Sequence, residues 1–196
     1  NLTASVFFRG KNSSTMVFDG QGMFFQMPRT ASPFLQVAAG KSVKLQNLVL
    51  KDFSPVHIRL AAGASLVFGD NVYIQLADNA APVTTSFVFD GARSVIDGRG
   101  KFLTLGAPDA VLVNDGKDVT FKDMTVLGLR STGTAHTLRC AGANAQVVFD
   151  DAKLVVDSFF NMIRGNVFVR NHVAIKGRGT TFAWTSAGSL TIDSNA

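Results

Sequence analysis

The stretch Val-Ile-Asp-Gly-Arg-Gly-Lys-Phe-Leu at residues 95–103 decides the fold, because it is one copy of a repeat. Residues 17–25 read Val-Phe-Asp-Gly-Gln-Gly-Met-Phe-Phe, and residues 174–182 read Ala-Ile-Lys-Gly-Arg-Gly-Thr-Thr-Phe. Phe18, Ile96 and Ile175 therefore occupy matching positions of three copies. Self-similarity at a long, nearly fixed period indicates a repeat architecture.

A shorter period divides this long repeat into three units. Seven short apolar segments recur at intervals of about 26 residues, a period within the range of solenoid repeats. We predict that the last residues of these segments form one inward-facing column: Phe18, Leu45, Phe68, Ile96, Phe121, Phe149 and Ile175.

Within a unit, the pattern favours short strands over helices. Val119-Thr120-Phe121 alternates apolar and polar residues, which is typical of a strand with one buried face, and Val, Ile, Phe and Thr suit a pleated surface. Turn residues recur too often to leave room for helices of ordinary length. Three short strands and three corners per unit describe one coil of a solenoid.

Asp, Asn and Gly follow the apolar segments and predict the corners of each coil. A sharp bend between strands favours residues that tolerate the left-handed region of backbone space. We expect Asn47, Asp97 and Asp123 to lie at equivalent bends, with their side chains bound to backbone groups of the turn.

Residues 17–22 and 43–50 resemble coils of the right-handed parallel β-helix of the pectin-lyase-like superfamily, and the resemblance extends from about Val6 to Ile192. It implies an all-β, single-stranded, right-handed parallel β-helix (a solenoid) of about seven coils of about 26 residues, with a three-coil super-repeat. We expect one β-helix domain over residues 1–196. The sequence does not begin with Met and stops in mid-pattern, so we expect a segment of a longer protein.

Composition sets limits on the partners. Apolar residues make up 46% of the chain, enough for a sizeable core, and the 17 Phe residues, against one Tyr and one Trp, favour a dry interior.

The single cysteine, Cys140, excludes an intrachain disulfide and is predicted to be a buried thiol. The net charge of +5 favours acidic partners, but the basic residues are scattered, so no nucleic-acid partner is predicted. No apolar run reaches the length of a transmembrane segment.

Asp19 and Asp97 are the first candidates for chemistry, because superfamily hydrolases use clustered Asp residues. The matching third position is Lys176, however, and a turn residue can change its charge whereas a metal or acid–base site cannot. Asp150 and Asp151 are adjacent, so a strand points them to opposite faces. We therefore predict no catalytic residue, no metal ligand and no cofactor.

The three histidines also fail to converge in the predicted fold. His57 and His136 lie three coils apart, about 14 Å at sheet spacing, which is too far to share a zinc ion. We expect these two residues and His172 at the surface or at strand ends.

Arg99 and Arg178 are the predicted ligand-binding residues. They match across three coils and form a sparse basic stripe, and arginine suits carboxylate groups. Solvated turn residues are the simpler interpretation of the same pattern.

These observations favour a non-enzymatic structural or surface β-solenoid module, such as a stalk or a segment of an adhesin or filament, located outside the cell or at its surface. The alternative is a carbohydrate-active β-helix that binds or cleaves an acidic polysaccharide. The predicted partners are an acidic glycan or another surface molecule, and further copies of the chain through end-to-end or lateral association.

Overall fold

A computed structural model describes residues 6–8, 15–28, 33–177, 181–185 and 188–193, with the backbone alone at residues 6–8 and 184. Almost all of its regular structure is β. The strands are β1 (Val6–Phe8), β2 (Thr15–Gln26), β3 (Leu35–Val37), β4 (Ser42–Phe53), β5 (Ile58–Leu60), β6 (Ser65–Phe68), β7 (Val72–Leu76), β8 (Phe87–Phe89), β9 (Ser94–Thr104), β10 (Val111–Val113), β11 (Asp118–Leu129), β12 (Ser131–Thr132), β13 (Ala135–His136), β14 (Leu138–Cys140), β15 (Gln146–Val156), β16 (Phe160–Met162), β17 (Asn166–Arg170), β18 (Ala174–Gly177), β19 (Phe182–Trp184) and β20 (Leu190–Ile192). One short 3-10 helix spans Pro55–His57.

The strands stack in parallel, each pairing with the equivalent strand of the coil before and the coil after. The first ladder runs β2–β4–β6–β8–β10–β14, and the second runs β2–β4–β7–β9–β11–β15–β17–β20. Both contain β2 and β4, because each of these 12-residue strands bends and contributes one half to each ladder. A third ladder joins the second halves of β9, β11 and β15 to β18. The prediction of a parallel β-solenoid of about seven coils is confirmed.

Smaller pairings complete the solenoid. β1, β3 and β5 form a separate parallel sheet, and β16 pairs with β19. β12 and β13 form an antiparallel pair, a hairpin that follows β11.

Successive coils lie about 23 residues apart, which is shorter than the predicted unit. The difference arises because the recurring apolar segments belong to two ladders. Phe68 of the first ladder pairs with Phe89, whereas Ile96 of the second ladder pairs with Ile74. Counting from Phe68 to Ile96 therefore measures one coil and an additional corner.

The same offset changes the meaning of the three-coil super-repeat. From Phe18, the first ladder passes through Leu45 and Phe68 and reaches Phe89 after three coils. Ile96 lies beyond the next corner. The two copies of the motif at residues 17–25 and 95–103 are thus separated by three coils and one corner.

The predicted inward column is correct in burial for most of its members but wrong as a single row. Leu45, Phe68, Ile96, Phe121 and Phe149 are at most 6% exposed, and Phe18 is half-buried against the core. They divide between the first and second ladders. Val169, not Ile175, continues the row after Phe149.

Ile175 is the exception to the predicted burial. It pairs with Leu154 in the third ladder and is 52% exposed. Among the described residues no further strand pairs with β18, so the Ile175 side chain has no next coil there to pack against.

Aromatic rings of successive coils stack in the interior. The ring centroids of Phe121 and Phe149 are 5.4 Å apart, and the two ring planes are inclined at 23°. For Phe68 and Phe89 the centroid distance is 5.1 Å and the interplanar angle is 30°. Burying a Phe side chain contributes about 1.5–3 kcal/mol. The buried Phe rows therefore carry a large part of the stabilisation between coils.

Phe121→Ala is expected to lower the free energy of unfolding by about 3–5 kcal/mol, because the ring is fully buried and its removal leaves a cavity against Phe149. Phe102→Ala is the matched control, since Phe102 is 57% exposed, and we expect it to change stability by less than about 1 kcal/mol. Urea unfolding followed by far-UV circular dichroism measures both. Equal losses would contradict the described register.

Candidate functional site

Two corners of the coil are lined by residues in the left-handed region. Between the first and second ladders these residues are Gln21, Asn47, Asn71 and Arg93, with φ of 50°, 53°, 55° and 62°. Between the second and third ladders they are Asp52, Arg99, Asp123, Asp151 and Asn171, with φ of 52°, 50°, 45°, 52° and 55°. Asn and Asp adopt this conformation more readily than most residues because their side chains bond locally to the backbone. The recurring polar residues therefore mark the corners.

The Asp-Gly-Xaa-Gly motif has the same local geometry at both of its described copies. Asp19 Oδ1 accepts the backbone N–H of Gln21 at 2.9 Å, and Asp97 Oδ1 accepts that of Arg99 at 3.0 Å. Gly20 and Gly98 are required because a Cβ there would overlap the side chain of the next coil. This close approach explains why the motif is the most conspicuous repeat in the chain.

Asn47 and Asp123 lie at bends with positive φ, as predicted, but at two different corners of the coil rather than at equivalent ones, and the prediction is wrong for Asp97. Arg99, two residues later, takes the left-handed position. The predicted bonding to backbone holds for Asp97. The side chain of Asn47 instead donates to Asp19 Oδ2 at 2.9 Å and accepts from Asn71 at 2.7 Å, and these contacts form a polar ladder along the corner.

Asp123→Val is expected to lower the free energy of unfolding by about 1–2 kcal/mol, because a β-branched residue is strained at φ 45°. Asp123→Gly keeps the left-handed conformation accessible and is expected to change stability by less than about 0.5 kcal/mol. Thr125→Val, on the extended part of the same strand, serves as the control for adding Val. Thermal and urea unfolding compare the three variants, and equal stability of the Val and Gly variants at position 123 would contradict the assigned backbone geometry.

Asp97 and Tyr73 form a polar pair on the outer side of the second ladder, where Asp97 is buried and Tyr73 is half-buried. The Tyr73 hydroxyl donates to Asp97 Oδ2 at 2.6 Å across one coil, and Asp97 is 8% exposed. Burial raises the pKa of Tyr73 to about 12, and the hydrogen bond to Asp97 and its negative charge act in the same direction. The phenol is therefore held in its neutral form as a donor.

Tyr73 is the only tyrosine of the chain, so its ionisation can be followed by ultraviolet absorbance. The pKa of Tyr73 should be about 12 in the folded protein and near 10 in the unfolded chain. Because the folded pKa is the higher one, the stabilisation is present below pH 10 and is lost as pH rises toward 12. Asp97→Asn should lower the folded midpoint. A midpoint near 10 in both proteins would exclude the described pair.

Arg99 lies at a corner and contacts its own chain. Its Nη2 donates to Asp52 Oδ1 at 2.8 Å and to the carbonyl of Leu76 at 3.2 Å, and its side chain is 42% exposed. Arg178 lies outside the described residues. Ligand binding by these two arginines stays a prediction.

Other carboxylates likewise join coils. Asp52 accepts a hydrogen bond from Gln26 as well as the one from Arg99. Both hydrogen bonds lower the pKa of Asp52, and the one from Gln26 has the larger effect. Asp19 accepts hydrogen bonds from Gln46, from the backbone of Gln21 and from Asn47, each of which lowers its pKa.

The first ladder carries two ion pairs between coils. Lys44 donates to Asp90 at 2.9 Å across two coils, and Asn114 donates to the same carboxylate at 3.0 Å. Burial raises the pKa of Asp90, but these hydrogen bonds outweigh it and leave the pKa lowered. Asp109 accepts two bonds from Arg139, at 2.6 and 2.8 Å, in the fork geometry that arginine favours.

The adjacent carboxylates Asp150 and Asp151 have different roles. Asp150 lies within the second ladder, between Lys122 and Arg170 in register, and accepts from Asn171. Asp151 occupies the left-handed corner position. These placements give the pair structural roles in the strand and in the turn.

Ser131 and His136 are the nearest approach to a nucleophile and base among the described residues. The Ser131 hydroxyl lies 2.7 Å from His136 Nδ1 across the β12–β13 hairpin, and it accepts the backbone N–H of Asn161 at 3.0 Å. The two residues are 8% and 4% exposed. Burial lowers the pKa of His136, and the charge of Arg139 adds to this. The pair therefore fastens the hairpin to the next coil.

The histidine prediction is confirmed for His172, which is exposed, and for His136, which is the last residue of β13. His57 lies directly before β5, at the end of the 3-10 helix, and both His57 and His136 are buried, each 4% exposed. His57 Nδ1 accepts the backbone N–H of Ser54 at the 3-10 helix. Cys140 is buried as predicted, and burial raises the pKa of its thiol to about 12. A protonated, buried thiol is a poor nucleophile.

A polar cleft lies beside Arg139. It has a volume of about 370 Å³ and is lined by Asp109, Thr134, Arg139 and Arg164, among others. Its arginines already bind the chain, because Arg139 holds Asp109 and Arg164 donates to the carbonyl of Ala141 at 3.0 Å.

Neither a metal centre nor a membrane-spanning helix occurs in the part of the chain that the structure describes. No three His, Cys, Asp or Glu side chains come together there, and no helix is long and apolar enough to cross a bilayer. Comparisons with protein-family models, with curated proteins and with solved structures each gave no match. The chain is therefore assigned to a fold, the parallel β-solenoid, and to no family.

Proposed function

We propose that the chain is a non-enzymatic structural module, a rigid β-solenoid that serves outside the cell or at its surface as a stalk or as part of an adhesin or filament. We also propose that its coils follow the right-handed β-helix of the pectin-lyase-like superfamily. The stack of about seven coils supports a rod of roughly 30 Å at about 4.8 Å per coil.

One observation carries this proposal: polar side chains that could act on a substrate are bonded between coils. Asp19, Asp52, Asp90 and Asp109 each bind a group 27 or more residues away. General acid–base cleavage of a glycosidic bond requires two carboxylates that reach one bond. Carboxylates that tie coils together serve stability instead.

The alternative of an acidic-polysaccharide enzyme is tested with a panel of pectate, alginate and similar glycans, with and without calcium. We expect no reducing ends and no unsaturated products, because Asp97 is buried and bonded to Tyr73 and Asp151 forms a corner.

Asp97→Asn and Asp151→Asn are the control variants for this panel. If the natural chain turns over a glycan and either variant abolishes that turnover, the structural proposal is overturned and the chain is an enzyme. Turnover unchanged in both would exclude Asp97 and Asp151 as its source.

A further inference from the structure

The outer surface of the second ladder is a largely apolar face that runs along the solenoid. Side chains at the centre of each strand, in register from coil to coil, point away from the core and form what we term the outer row: Val49, Tyr73, Val95, Thr120, Val148 and Phe168. Val148 is 7% exposed, and the other five are half-buried. Because parallel strands keep the row straight, it forms a flat stripe rather than scattered apolar residues.

A charged row lies beside the outer row, two residues further along each strand. Asp97, Lys122, Asp150 and Arg170 are in register, so that the charge alternates from coil to coil. Lys122 and Arg170 are exposed and Asp150 is partly exposed. Within the described residues, neither Lys122 nor Arg170 forms an ion pair.

An alternating row of four charges is complementary to itself when it is reversed. Two copies placed face to face, with their coil axes antiparallel, are related by a two-fold axis parallel to the strands. With that axis between β11 and β15, Lys122 of each copy faces Asp150 of the other. Arg170 then faces Asp97, although that carboxylate already accepts from Tyr73 and from the backbone of Arg99.

The same rotation places the outer rows upon one another. Val95 then meets Phe168, and the methyl group of Thr120 meets Val148. An isologous contact of this kind is the commonest way in which identical chains pair. Hydrophobic burial and charge complementarity therefore act together on this face.

The outer surface of the first ladder does not offer the same match. Its central row is Lys44, Val67, Val88, Leu112 and Arg139. Lys44 and Arg139 already hold Asp90 and Asp109 of their own chain. Reversal about Val88 would set Lys44 against Arg139, so this face brings like charges together.

We propose that the second-ladder face binds a second copy of the chain as an antiparallel two-fold dimer, held by the outer row and by two Lys122–Asp150 pairs. Six strands of each copy overlap about this axis, from β7 to β20. At about 4.8 Å per strand and a width of four to five residues, they bury about 430 Å² per copy. The total of about 900 Å² is below the range of stable interfaces and predicts a weak dimer. This inference goes beyond the structural role, and its readout does not depend on that role.

The test is analytical ultracentrifugation of the full chain and of two charge reversals, Lys122→Asp and Asp150→Lys. Each reversal sets like charges opposite one another twice across the two-fold axis and should raise the dimer dissociation constant by about tenfold or more. An equimolar mixture of the two variants should form a heterodimer. In it the introduced carboxylate at position 122 faces the introduced ammonium at position 150, and the natural Asp150 of one copy faces the natural Lys122 of the other. Circular dichroism establishes that both variants are folded.

Val88→Lys on the first ladder is the control. Val88 is half-buried on the outer surface, like most residues of the outer row, and a charge placed there should leave dimerisation unchanged. Restored association in the mixture of reversed variants would establish the interface, because it cannot come from contacts within one chain. A natural chain that stays monomeric at several hundred micromolar, or a dimer that ignores both reversals, would overturn the proposal.

Discussion

The structure depends on parallel backbone hydrogen bonding between successive coils. Each central strand satisfies its N–H and C=O groups with the coil before and the coil after, as buried backbone groups require. This ladder fixes a spacing of about 4.8 Å between coils, and at that spacing Phe121 stacks on Phe149 and Phe68 on Phe89. Any residue that breaks the register would displace a whole row of the core, so the corners must bend at constant positions.

The corners meet that requirement with local chemistry. Left-handed residues such as Asn71 and Asp151 turn the chain, and glycines such as Gly98 allow the next coil to approach. The polar side chains at the corners then bond along the axis, as Asn47 does with Asp19 and Asn71. Polar groups of the kind that form reactive sites are in this way used to hold the stack, which is why we favour a structural role.

The fold class could be predicted from the sequence because the strand pattern, the turn residues and the period all indicate a solenoid. The ladder that each segment joins could not, because Phe68 and Ile96 both end an apolar segment and both precede a turn. A coil spacing of 24 residues, had it been recognised in the sequence, would have predicted the contacts of Asn47 with Asn71 and of Tyr73 with Asp97.

Other contacts could not have been predicted from spacing. Lys44 reaches Asp90 across two coils, and Ser131 meets His136 only because a short hairpin follows β11. Asp97 was misplaced because the left-handed position in Asp-Gly-Arg-Gly belongs to Arg99. These details depend on how side chains of different coils meet in three dimensions.

The most direct test of the stacked register is nuclear magnetic resonance of the natural chain, with assignment of the backbone nuclear Overhauser effects between strands. The stacked coils predict a parallel pattern in which Phe121 contacts both Ile96 and Phe149, while Phe68 contacts Leu45 and Phe89. Cross-strand effects between Phe68 and Ile96, or an antiparallel pattern in these strands, would contradict this register.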